Sequence, residues 1–560
     1  MVDNSAAVNA ADRRTTSVAG PAALVMVAIG LVALIIALQL LSGAYGGEFG
    51  DDEASHYISG LFIKEYVTTF PLQSPLNFLR EFHSRYPLVG IGHWPPFFYG
   101  VEAFWMTLFS SSKVSVIALA GTVTFATALT IYCIIAPRFG RVPGLFAAVA
   151  FIVSPIAQMG SNELMLDVPV AFCCVLAMLS YMRYLDTNRA LYSVLFGVLA
   201  SIALLIKGNA AALAMLPAFV VLLGWRWDLL RRPSFWAPVP IVLVATGPWY
   251  VFTYGMVEQG FRYSWGLTYI GVATAENARY LLENLGPLTI ACALIGLFTL
   301  IAQPRQARDN CLLVASSLFL SVWLFQTLVP AAIQDRYLAP ALPGIIIMAV
   351  YGVYAAYQKL AKRIGTLAQQ PRAGLVIGVF IAMLVAPLIA RGGVAVPPKP
   401  VMGLAWAADK VRSLQTPRNP AVLIVAEGRN EVAAIAELAM VDPKPPSLFA
   451  VRGSRIFGGG GYNNQDYEPR FQNVADLMTA IDEYSIPLLI LQKDPSKGAW
   501  DHIRQVEELL TLYPDRWRLV ARNTDVSPEV SIYEIRGNET KDLPAQKLML
   551  LTGPRALAQP

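Results

Sequence analysis

Charged side chains are scarce in this chain of 560 residues. Asp, Glu, Lys and Arg make up 14% of it and hydrophobic residues make up 55%, whereas about a quarter of a typical soluble globular protein is charged. So few charges cannot cover a water-facing surface of this size, and we expect most of the chain to lie in a lipid bilayer. The net charge of +5 is small, and the basic residues stand between apolar runs, where membrane topology requires them. We therefore expect no nucleic-acid partner.

Cysteine and histidine are also rare, with five cysteines and four histidines. The cysteines lie within or beside apolar runs and the polar C-terminal third has none, which excludes a disulfide framework. We expect them to be buried thiols that pack as small hydrophobic side chains. The His and Cys spacing of a dedicated zinc site is missing too. No small-x-small cleavage site follows the first apolar run, which we interpret as a retained helix.

Apolar runs dominate the first 392 residues and predict about eleven membrane-spanning helices. They cover 21–43, 114–136, 142–160, 166–185, 190–206, 209–225, 235–254, 286–303, 311–330, 337–358 and 373–392. Arginine and lysine fill alternate gaps between the runs, and the positive-inside rule places those gaps in the cytoplasm. The aromatic segment 95–111 has no place in this alternation, so we expect it to lie in the outer interface without spanning.

This topology predicts three parts of the chain. A cytoplasmic tail, 1–20, precedes a transmembrane domain, 21–392, whose two large outer loops are 44–113 and 255–285. Residues 393–560 follow on the extracytoplasmic side, where apolar strands alternate with amphipathic helices as in an α/β domain. Strands are predicted at 421–426, 447–451 and 487–492, and helices at 429–440, 473–485 and 500–513.

Acidic and basic side chains recur at the predicted outer ends of the helices. The segment "GDDEASHY" (50–57) places Asp52 and Glu53 soon after the first span, and Asp167 begins a later span. A carboxylate at that depth is costly and is functional by default. The other candidates on this side of the membrane are His93, Lys207, Arg262, Arg279, Arg336 and Tyr337. We expect these side chains to bind substrate.

This combination of groups suits one kind of reaction. A carboxylate can take the proton from an attacking hydroxyl, and Lys, Arg or His can bind a phosphate leaving group, Arg with a bidentate fork. The membrane would deliver a substrate that is apolar at one end and phosphorylated at the other. A lipid-phosphate sugar fits that description, so the sequence predicts glycosyl transfer from such a donor to an acceptor hydroxyl.

Short motifs give the chain a resemblance to a known family. They are Asp52-Glu53, "PPFFY" (95–99), "LMLDVP" (164–169), "LLIKG" (204–208), "PWYV" (248–251) and "RYLAPALP" (336–343). With these motifs the chain resembles the C-type, polyprenyl-phosphate-sugar-dependent glycosyltransferases (GT-C), which include the protein O-mannosyltransferases and the aminoarabinose transferases that modify lipid A. The resemblance covers most of residues 20–345 and implies a polytopic α-helical fold; the C-terminal domain lies outside it.

The resemblance also implies roles for individual residues. Asp52 corresponds to the catalytic base and Asp167 to the second outer acid, while Arg336 and Tyr337 correspond to a turn that contacts the donor phosphate. The reaction we expect is a single inverting displacement, in which the deprotonated acceptor hydroxyl attacks the anomeric carbon and the lipid phosphate leaves. The enzyme would be a hexosyl- or pentosyltransferase that needs no nucleotide-sugar site.

One position departs from the family pattern. Some relatives have Lys immediately before the Pro-Pro pair, where this chain has Trp94. We expect His93 or Lys207 to contact the phosphate in its place. Lys207 has a second interpretation, since a lysine at a helix end can simply extend its ammonium to the membrane surface.

Cofactor, partners and location follow from the same interpretation. The donor substrate is a polyprenyl-phosphate sugar, and the acceptor is a lipid, a glycan or a protein. Asp51, Asp52, Glu53 and Asp167 are the carboxylates that could hold a divalent metal ion. We expect a multi-pass protein of the inner (plasma) membrane whose active site and C-terminal domain are extracytoplasmic.

Three competing functions remain. A transporter or flippase of a lipid-linked or anionic substrate would place its ionisable residues near the bilayer midplane, often with internal repeats, and the sequence shows neither feature. An oligosaccharyltransferase would be expected to carry a "WWD"-type motif in its soluble domain, which is missing here. A membrane-anchored binding protein would have no need of so many spans.

Overall fold

The structure is a computed structural model, and it describes residues 21–260, 264–364, 371–391, 398–414, 420–442, 448–459, 467–493 and 500–538. The chain divides into two compact units. The helical unit comprises Met1–Leu41, Ala120–Asn162 and Leu166–Pro397, and the α/β unit comprises Ser42–Leu119, Glu163–Met165 and Pro398–Pro560. The first predicted outer loop, 44–113, thus shares a compact unit with the C-terminal region. The predicted tail 1–20 lies outside the described residues.

Most of the described chain is α-helical. The helices are α1 (Pro21–Leu41), α2 (Asp51–Thr69), α3 (Pro75–Arg85), α4 (Phe97–Leu108), α5 (Lys113–Phe139), α6 (Arg141–Ile152), α7 (Pro155–Asn162), α8 (Asp167–Thr187), α9 (Ala190–Leu204), α10 (Leu216–Gly224), α11 (Pro233–Trp236), α12 (Pro238–Gly260), α13 (Leu267–Leu285), α14 (Pro287–Ala302), α15 (Asn310–Leu328), α16 (Leu342–Ile364), α17 (Pro371–Ala390), α18 (Leu404–Leu414), α19 (Gly428–Val441), α20 (Gly453–Ile456), α21 (Val474–Glu483) and α22 (Asp501–Leu512). Short 3₁₀ segments join some of them, at Gly208–Met215, Trp227–Arg231, Arg305–Ala307, Asp335–Ala341 and Pro514–Arg516.

Strands occur only in the C-terminal region of the described chain. They are β1 (Ala421–Val425), β2 (Phe449–Arg452), β3 (Gly458–Gly459), β4 (Glu468–Pro469), β5 (Leu488–Gln492), β6 (Trp517–Asn523) and β7 (Val530–Ile535). Five of them form one sheet in the order β2-β1-β5-β7-β6, and β3 pairs with β4 separately. The chain is therefore a polytopic α-helical protein with a C-terminal α/β region, as the sequence predicts.

The helices of the described chain are compatible with the predicted number of spans. Six are long and apolar enough to cross a bilayer, and two bent pairs, α6 with α7 and α13 with α14, would each make one more span. Three shorter apolar helices lie at Ala190–Leu204, Gly208–Gly224 and Gly374–Ile389. Together they overlap the eleven apolar runs of the sequence. The exception is α13 (Leu267–Leu285), a helix that lies within the predicted outer loop 255–285 and not in a run. The twelve-residue α4 is not among these segments, and the interfacial position expected for 95–111 stays a prediction.

Helix α1 illustrates why these runs fold as membrane helices. It has 21 residues and carries no charge, and at a rise of about 1.5 Å per residue it is about 30 Å long, the thickness of a bilayer core. Its apolar side chains are distributed around the whole helix, and Met26 and Ile29 are among those exposed. Such a surface is stable in lipid and not in water.

Helices α14 and α16 approach each other unusually closely in the helical unit. A Cβ atom at Gly296 would overlap the backbone carbonyl of Met348, and one at Gly352 would overlap the carbonyl of Cys292. The two glycines are thus reciprocal contact points on facing helices. Small residues at such contacts let helix backbones pack closely, which provides much of the stability of helix pairs in membranes.

We expect Gly352→Ala to lower the thermal stability of the purified protein. The added methyl group meets backbone that moves only if a whole helix moves, and overpacking of this kind costs roughly 1–3 kcal/mol. The matched control is Gly378→Ala on α17, where a Cβ meets nothing within 4 Å. Thermal unfolding in detergent should separate the two variants. Equal melting temperatures would show that the contact is not tight.

The α/β unit has its hydrophobic core on the five-stranded sheet. Strand β1 pairs in parallel with both β2 and β5, and β7 pairs antiparallel with β5 and β6. All five residues of β1 and all five of β5 are buried, as the continuous apolar runs at 421–426 and 487–492 predict. The three predicted strands are β1, β2 and β5, and the three predicted helices are α19, α21 and α22. The hairpin of β6 and β7 was not predicted.

The predicted outer loop 44–113 is largely helical and packs on this α/β region. Helix α2 packs against α19, and α3 packs against β2. The Tyr86 hydroxyl donates a hydrogen bond to Asp442, and Lys113 Nζ lies 2.7 Å from Glu437 Oε1. Burial, followed by the nearby Asp442 carboxylate, raises the pKa of Tyr86 well above its ordinary value. The α/β region therefore supports the segment that carries Asp52.

Helix α4 contains a buried carboxyl group. The Glu102 side chain is fully buried against Gly60 of α2, and among the described residues neither of its oxygens has a hydrogen-bond partner. Burial raises the pKa of Glu102 well above its ordinary value. The folded protein therefore keeps this proton at pH values where the unfolded chain has lost it, so folding takes up a proton.

We expect the stability of the protein to fall as pH rises from the ordinary pKa of a glutamate towards the raised pKa of Glu102. The variant Glu102→Met should lose this pH dependence and, at neutral pH, be more stable by roughly 1–3 kcal/mol, the cost of an unsatisfied buried polar group. Melting temperatures between pH 5 and pH 8 measure both effects. Glu81→Met, on the exposed surface of α3, serves as the control. An unchanged pH slope in Glu102→Met would contradict the assignment.

Candidate active site

Asp167 and Lys207 form a buried ion pair in the helical unit. Asp167 is the first residue of α8, and Lys207 lies between α9 and the 3₁₀ segment that begins at Gly208. Lys207 Nζ donates to Asp167 Oδ1 across 2.6 Å, and the two side chains are 13% and 1% exposed. An acid in the first turn of a helix also interacts favourably with the helix dipole. The pair therefore has a fixed geometry in a largely apolar unit.

Tyr337 connects this pair to a second cation. Lys207 Nζ lies 4.5 Å from the centroid of the Tyr337 ring, and Arg336 Cζ lies 5.5 Å from the same centroid. Arg336 Nε donates to Gln334 Oε1 across 2.6 Å. The 3₁₀ segment Asp335–Ala341 that carries both residues packs against α8. Four residues predicted from the sequence, one carboxylate, two cations and a tyrosine, therefore lie together at the ends of these helices.

This cluster has the donors that a phosphate ester requires. An ammonium group has three N–H donors and a guanidinium group has five, so Lys207 can bind Asp167 and still donate to a second anion. Arg336 offers a planar fork that fits phosphate. The Oδ2 atom of Asp167 is buried, and among the described residues it has no hydrogen-bond partner. The arrangement can hold an anionic oxygen beside an oriented carboxylate.

We expect Lys207→Met to destabilise the protein by about 3–5 kcal/mol, because it leaves the Asp167 carboxylate buried without its cation. The double variant Asp167→Asn/Lys207→Met removes both charges and should recover most of that loss. Thermal unfolding of the three proteins measures the coupling. As a control, Arg279→Gln breaks exposed ion pairs only and should leave the melting temperature nearly unchanged. Additive effects in the double variant would contradict a coupled pair.

Arg279, another predicted arginine, makes its ion pairs outside this cluster. Arg279 lies on an exposed face of α13, where it makes 2.6 Å ion pairs with Glu276 and Glu283 on the same helix. Spacings of three and four residues bring side chains together on a helix surface, which accounts for these pairs locally. Arg262 lies outside the described residues. Substrate binding by either arginine stays a prediction.

In the α/β unit, Asp52 and Glu53 lie in the first turn of α2. Asp52 is half-buried, while the Glu53 side chain is 2% exposed. Glu53 Oε2 accepts from the backbone N–H of Gly50 at 3.1 Å, and Oε1 accepts from Leu164 N at 3.0 Å and from Lys399 Nζ at 2.6 Å. Both oxygens of Glu53 are therefore bound by the protein itself. Its predicted contact with substrate is untested.

His93 lies beside the same helix within a group of aromatic rings. The ring of Trp94 contacts His93 and His56, with centroids 4.5 Å and 4.7 Å apart. His56 Nδ1 is 2.8 Å from the Tyr99 hydroxyl. His56 lies four residues after Asp52, so the two side chains share one face of α2. The aromatic group thus holds the "GHWPP" segment against the helix that carries Asp52.

Two residues near the start of α2 were not predicted from the sequence: His56, which lies in the aromatic group, and Lys399, which binds Glu53. The i, i+4 spacing from Asp52 could have indicated His56, since the segment was predicted to follow a membrane span and to carry function. No local pattern could have indicated Lys399, because its partner Glu53 is 346 residues away. Within the described residues, no three His, Cys, Asp or Glu side chains are placed to share a metal ion. The Asp51 side chain lies outside that description.

Comparison with known proteins gives one family match. Residues 93–252 match the family described as dolichyl-phosphate-mannose-protein mannosyltransferase. The matched segment includes His93, Asp167 and Lys207, and it covers parts of both compact units. None of the curated protein sequences matches the chain significantly.

Solved structures show the same fold at low sequence identity. ArnT from Cupriavidus metallidurans bound to undecaprenyl phosphate superposes with a TM-score of 0.58 and 16% identity, covering 92% of this chain and 99% of that one. The apo state of the same protein superposes with a TM-score of 0.55 and 16% identity, covering 90% of this chain and 98% of that one. A third structure is the archaeal oligosaccharyltransferase AglB from Archaeoglobus fulgidus in complex with an inhibitory peptide and a dolichol-phosphate. It superposes with a TM-score of 0.51 and 12% identity, covering 83% of this chain and 69% of that one. The predicted resemblance to the GT-C glycosyltransferases is confirmed.

Proposed function

We propose that the protein is an inverting glycosyltransferase. It moves a hexose or pentose from a polyprenyl-phosphate donor to a hydroxyl group of a lipid, glycan or protein acceptor. The observation that carries this proposal is the cluster of Lys207, Arg336 and Tyr337 around the buried Asp167 carboxylate. A site with two cations in a helical unit made largely of apolar helices suits a ligand that has a lipid tail and a phosphate.

The donor assignment has independent support. One of the solved structures that share the fold holds undecaprenyl phosphate, and another holds a dolichol-phosphate. Both ligands are long lipids with a single phosphate. In the proposed reaction Lys207 and Arg336 bind that phosphate and stabilise the charge that develops on it as the glycosidic bond breaks. Asp167 keeps the Lys207 ammonium oriented and serves as the second acid of the site.

Asp52 is the proposed base. Its carboxylate takes the proton of the acceptor hydroxyl while the hydroxyl oxygen attacks the anomeric carbon. The bond between that carbon and the phosphate oxygen breaks in the same step, and polyprenyl phosphate leaves as an anion. The sugar is transferred with inversion at the anomeric carbon, and no covalent sugar–protein intermediate forms. Asp52 regains its carboxylate form when it releases the proton to water.

The proposed topology follows the positive-inside pattern of the sequence. The tail 1–20 is cytoplasmic, the domain 21–392 spans the inner (plasma) membrane, and residues 393–560 are extracytoplasmic, as the loops 44–113 and 255–285 are. Transfer then takes place on the outer side of this membrane. The acceptor reaches the enzyme from that side.

We expect Asp52→Asn to bind donor and to lose turnover by about 10²–10⁴-fold, the contribution typical of a general base. Purified protein in lipid nanodiscs is given synthetic polyprenyl-phosphate sugars and a membrane glycan extract, and released polyprenyl phosphate is measured together with donor affinity. Asp409→Asn makes the same change on the exposed surface of α18 and should leave both quantities unchanged. Full turnover in Asp52→Asn would reject the base assignment.

Arg336 gives a test of the phosphate site. Arg336→Ala should weaken donor binding and slow release, while Arg336→Lys keeps the charge but loses the bidentate fork and should recover only part of the activity. Donor affinity should therefore be highest in the parent, lower in Arg336→Lys and lowest in Arg336→Ala. Unchanged donor affinity in Arg336→Ala would remove this residue from the phosphate site.

A further inference from the structure

The start of α2 is tied to a distant segment of the chain through Glu53. Its Oε2 atom accepts from Gly50 N and so binds the backbone at the start of the helix. Its Oε1 atom accepts from Leu164 N and from Lys399 Nζ, the latter at 2.6 Å. A single carboxylate therefore joins the helix start to two segments that are remote in sequence.

Lys399 is built into this contact and is not a mobile surface lysine. Its side chain is 5% exposed, and its ammonium lies 4.5 Å from the centroid of the Phe49 ring. A Cβ atom at Gly47 would overlap the Lys399 side chain. The glycine thus leaves the space through which this lysine reaches Glu53. Charge, packing and burial all fix the ammonium at one position.

Backbone bonds connect the rest of the two segments. Lys399 N donates to Ser42 O at 2.8 Å, and Glu48 N donates to Pro400 O at 3.0 Å. The buried Glu48 carboxylate accepts from Leu404 N at 2.8 Å and from Ala405 N at 3.1 Å, at the start of α18. Residues 398–405 and 42–53 therefore interlock, and Lys399 provides the buried cation of the contact.

We propose that Lys399 is a positioning residue that sets the place of Asp52 by holding Glu53 at the start of α2. Asp52 is the neighbour of Glu53, so a shift of the first helical turn moves its carboxylate directly. A misplacement of about 1 Å is enough to slow a reaction about a hundredfold. The segment that leads into the C-terminal region thereby becomes part of the apparatus that orients the base. The effect of Lys399 on catalysis rests on the proposed function. Its effect on the position of the first turn of α2 does not.

Hydrogen exchange tests the structural content without any substrate. In the full-length protein in nanodiscs, Lys399→Met should make the amides of residues 50–57 exchange at least about tenfold faster, because the first turn of α2 opens more often. Amides of α22 should be unchanged. Lys399→Arg should restore most of the protection. The matched control is Lys493→Met. Lys493 Nζ lies 3.8 Å from Glu507 Oε1 in an exposed ion pair, and its loss should leave the exchange of residues 50–57 unchanged.

A second variant covers the case in which Lys399→Met does not fold. The double variant Glu53→Gln/Lys399→Met removes both charges of the buried pair, so it should fold. Its amides at 50–57 should still exchange faster than those of the parent. Parent-like exchange at 50–57 in either folded variant would overturn the proposal.

Kinetics test the catalytic consequence. With a synthetic polyprenyl-phosphate sugar, Lys399→Met should lower kcat at least about tenfold while KM for the donor changes less than about threefold, and Lys399→Arg should recover kcat. A parent that releases no polyprenyl phosphate would refute the proposed function and leave the exchange result standing. Faster exchange with an unchanged kcat would refute the positioning role alone.

Discussion

Burying charge is the constraint on which this structure depends. Only 14% of the residues are charged, and most of the chain folds where an isolated charge would cost several kcal/mol. Two buried ion pairs meet this constraint, Asp167 with Lys207 and Glu53 with Lys399, each at 2.6 Å. Each pair fixes the position of segments that are distant in sequence. In the first pair, Lys207 is also a cation whose chemistry suits a lipid-borne phosphate.

Much of the architecture could be predicted because a bilayer restricts what a sequence can do. Apolar runs of the length of α1 have few alternatives to a helix that spans or packs in a membrane. Continuous apolar runs likewise predicted the strands β1 and β5, and all residues of both are buried. The grouping of Asp167 with Lys207 and Arg336 followed from placing each residue at a predicted outer helix end. The structure brings these three residues together, and their role in catalysis stays a proposal.

Tertiary contacts explain what the sequence did not show. Glu53 looks like a second reactive carboxylate in "GDDEASHY", but its oxygens bind Gly50, Leu164 and Lys399, and the lysine is 346 residues away. Arg279 looks like a substrate ligand, yet its pairs on α13 are local. The helical character of the loop 44–113, and its packing on the C-terminal region, depend on contacts that no local periodicity encodes.

The most direct test of the central claim is the fate of a polyprenyl-phosphate sugar labelled in the sugar and given to the purified protein in sealed vesicles with acceptor extract. We expect polyprenyl phosphate to be released and the label to appear in an acceptor glycoside of inverted anomeric configuration. Movement of the intact lipid-linked sugar across the bilayer, with no release of polyprenyl phosphate, would contradict it and would indicate a transporter.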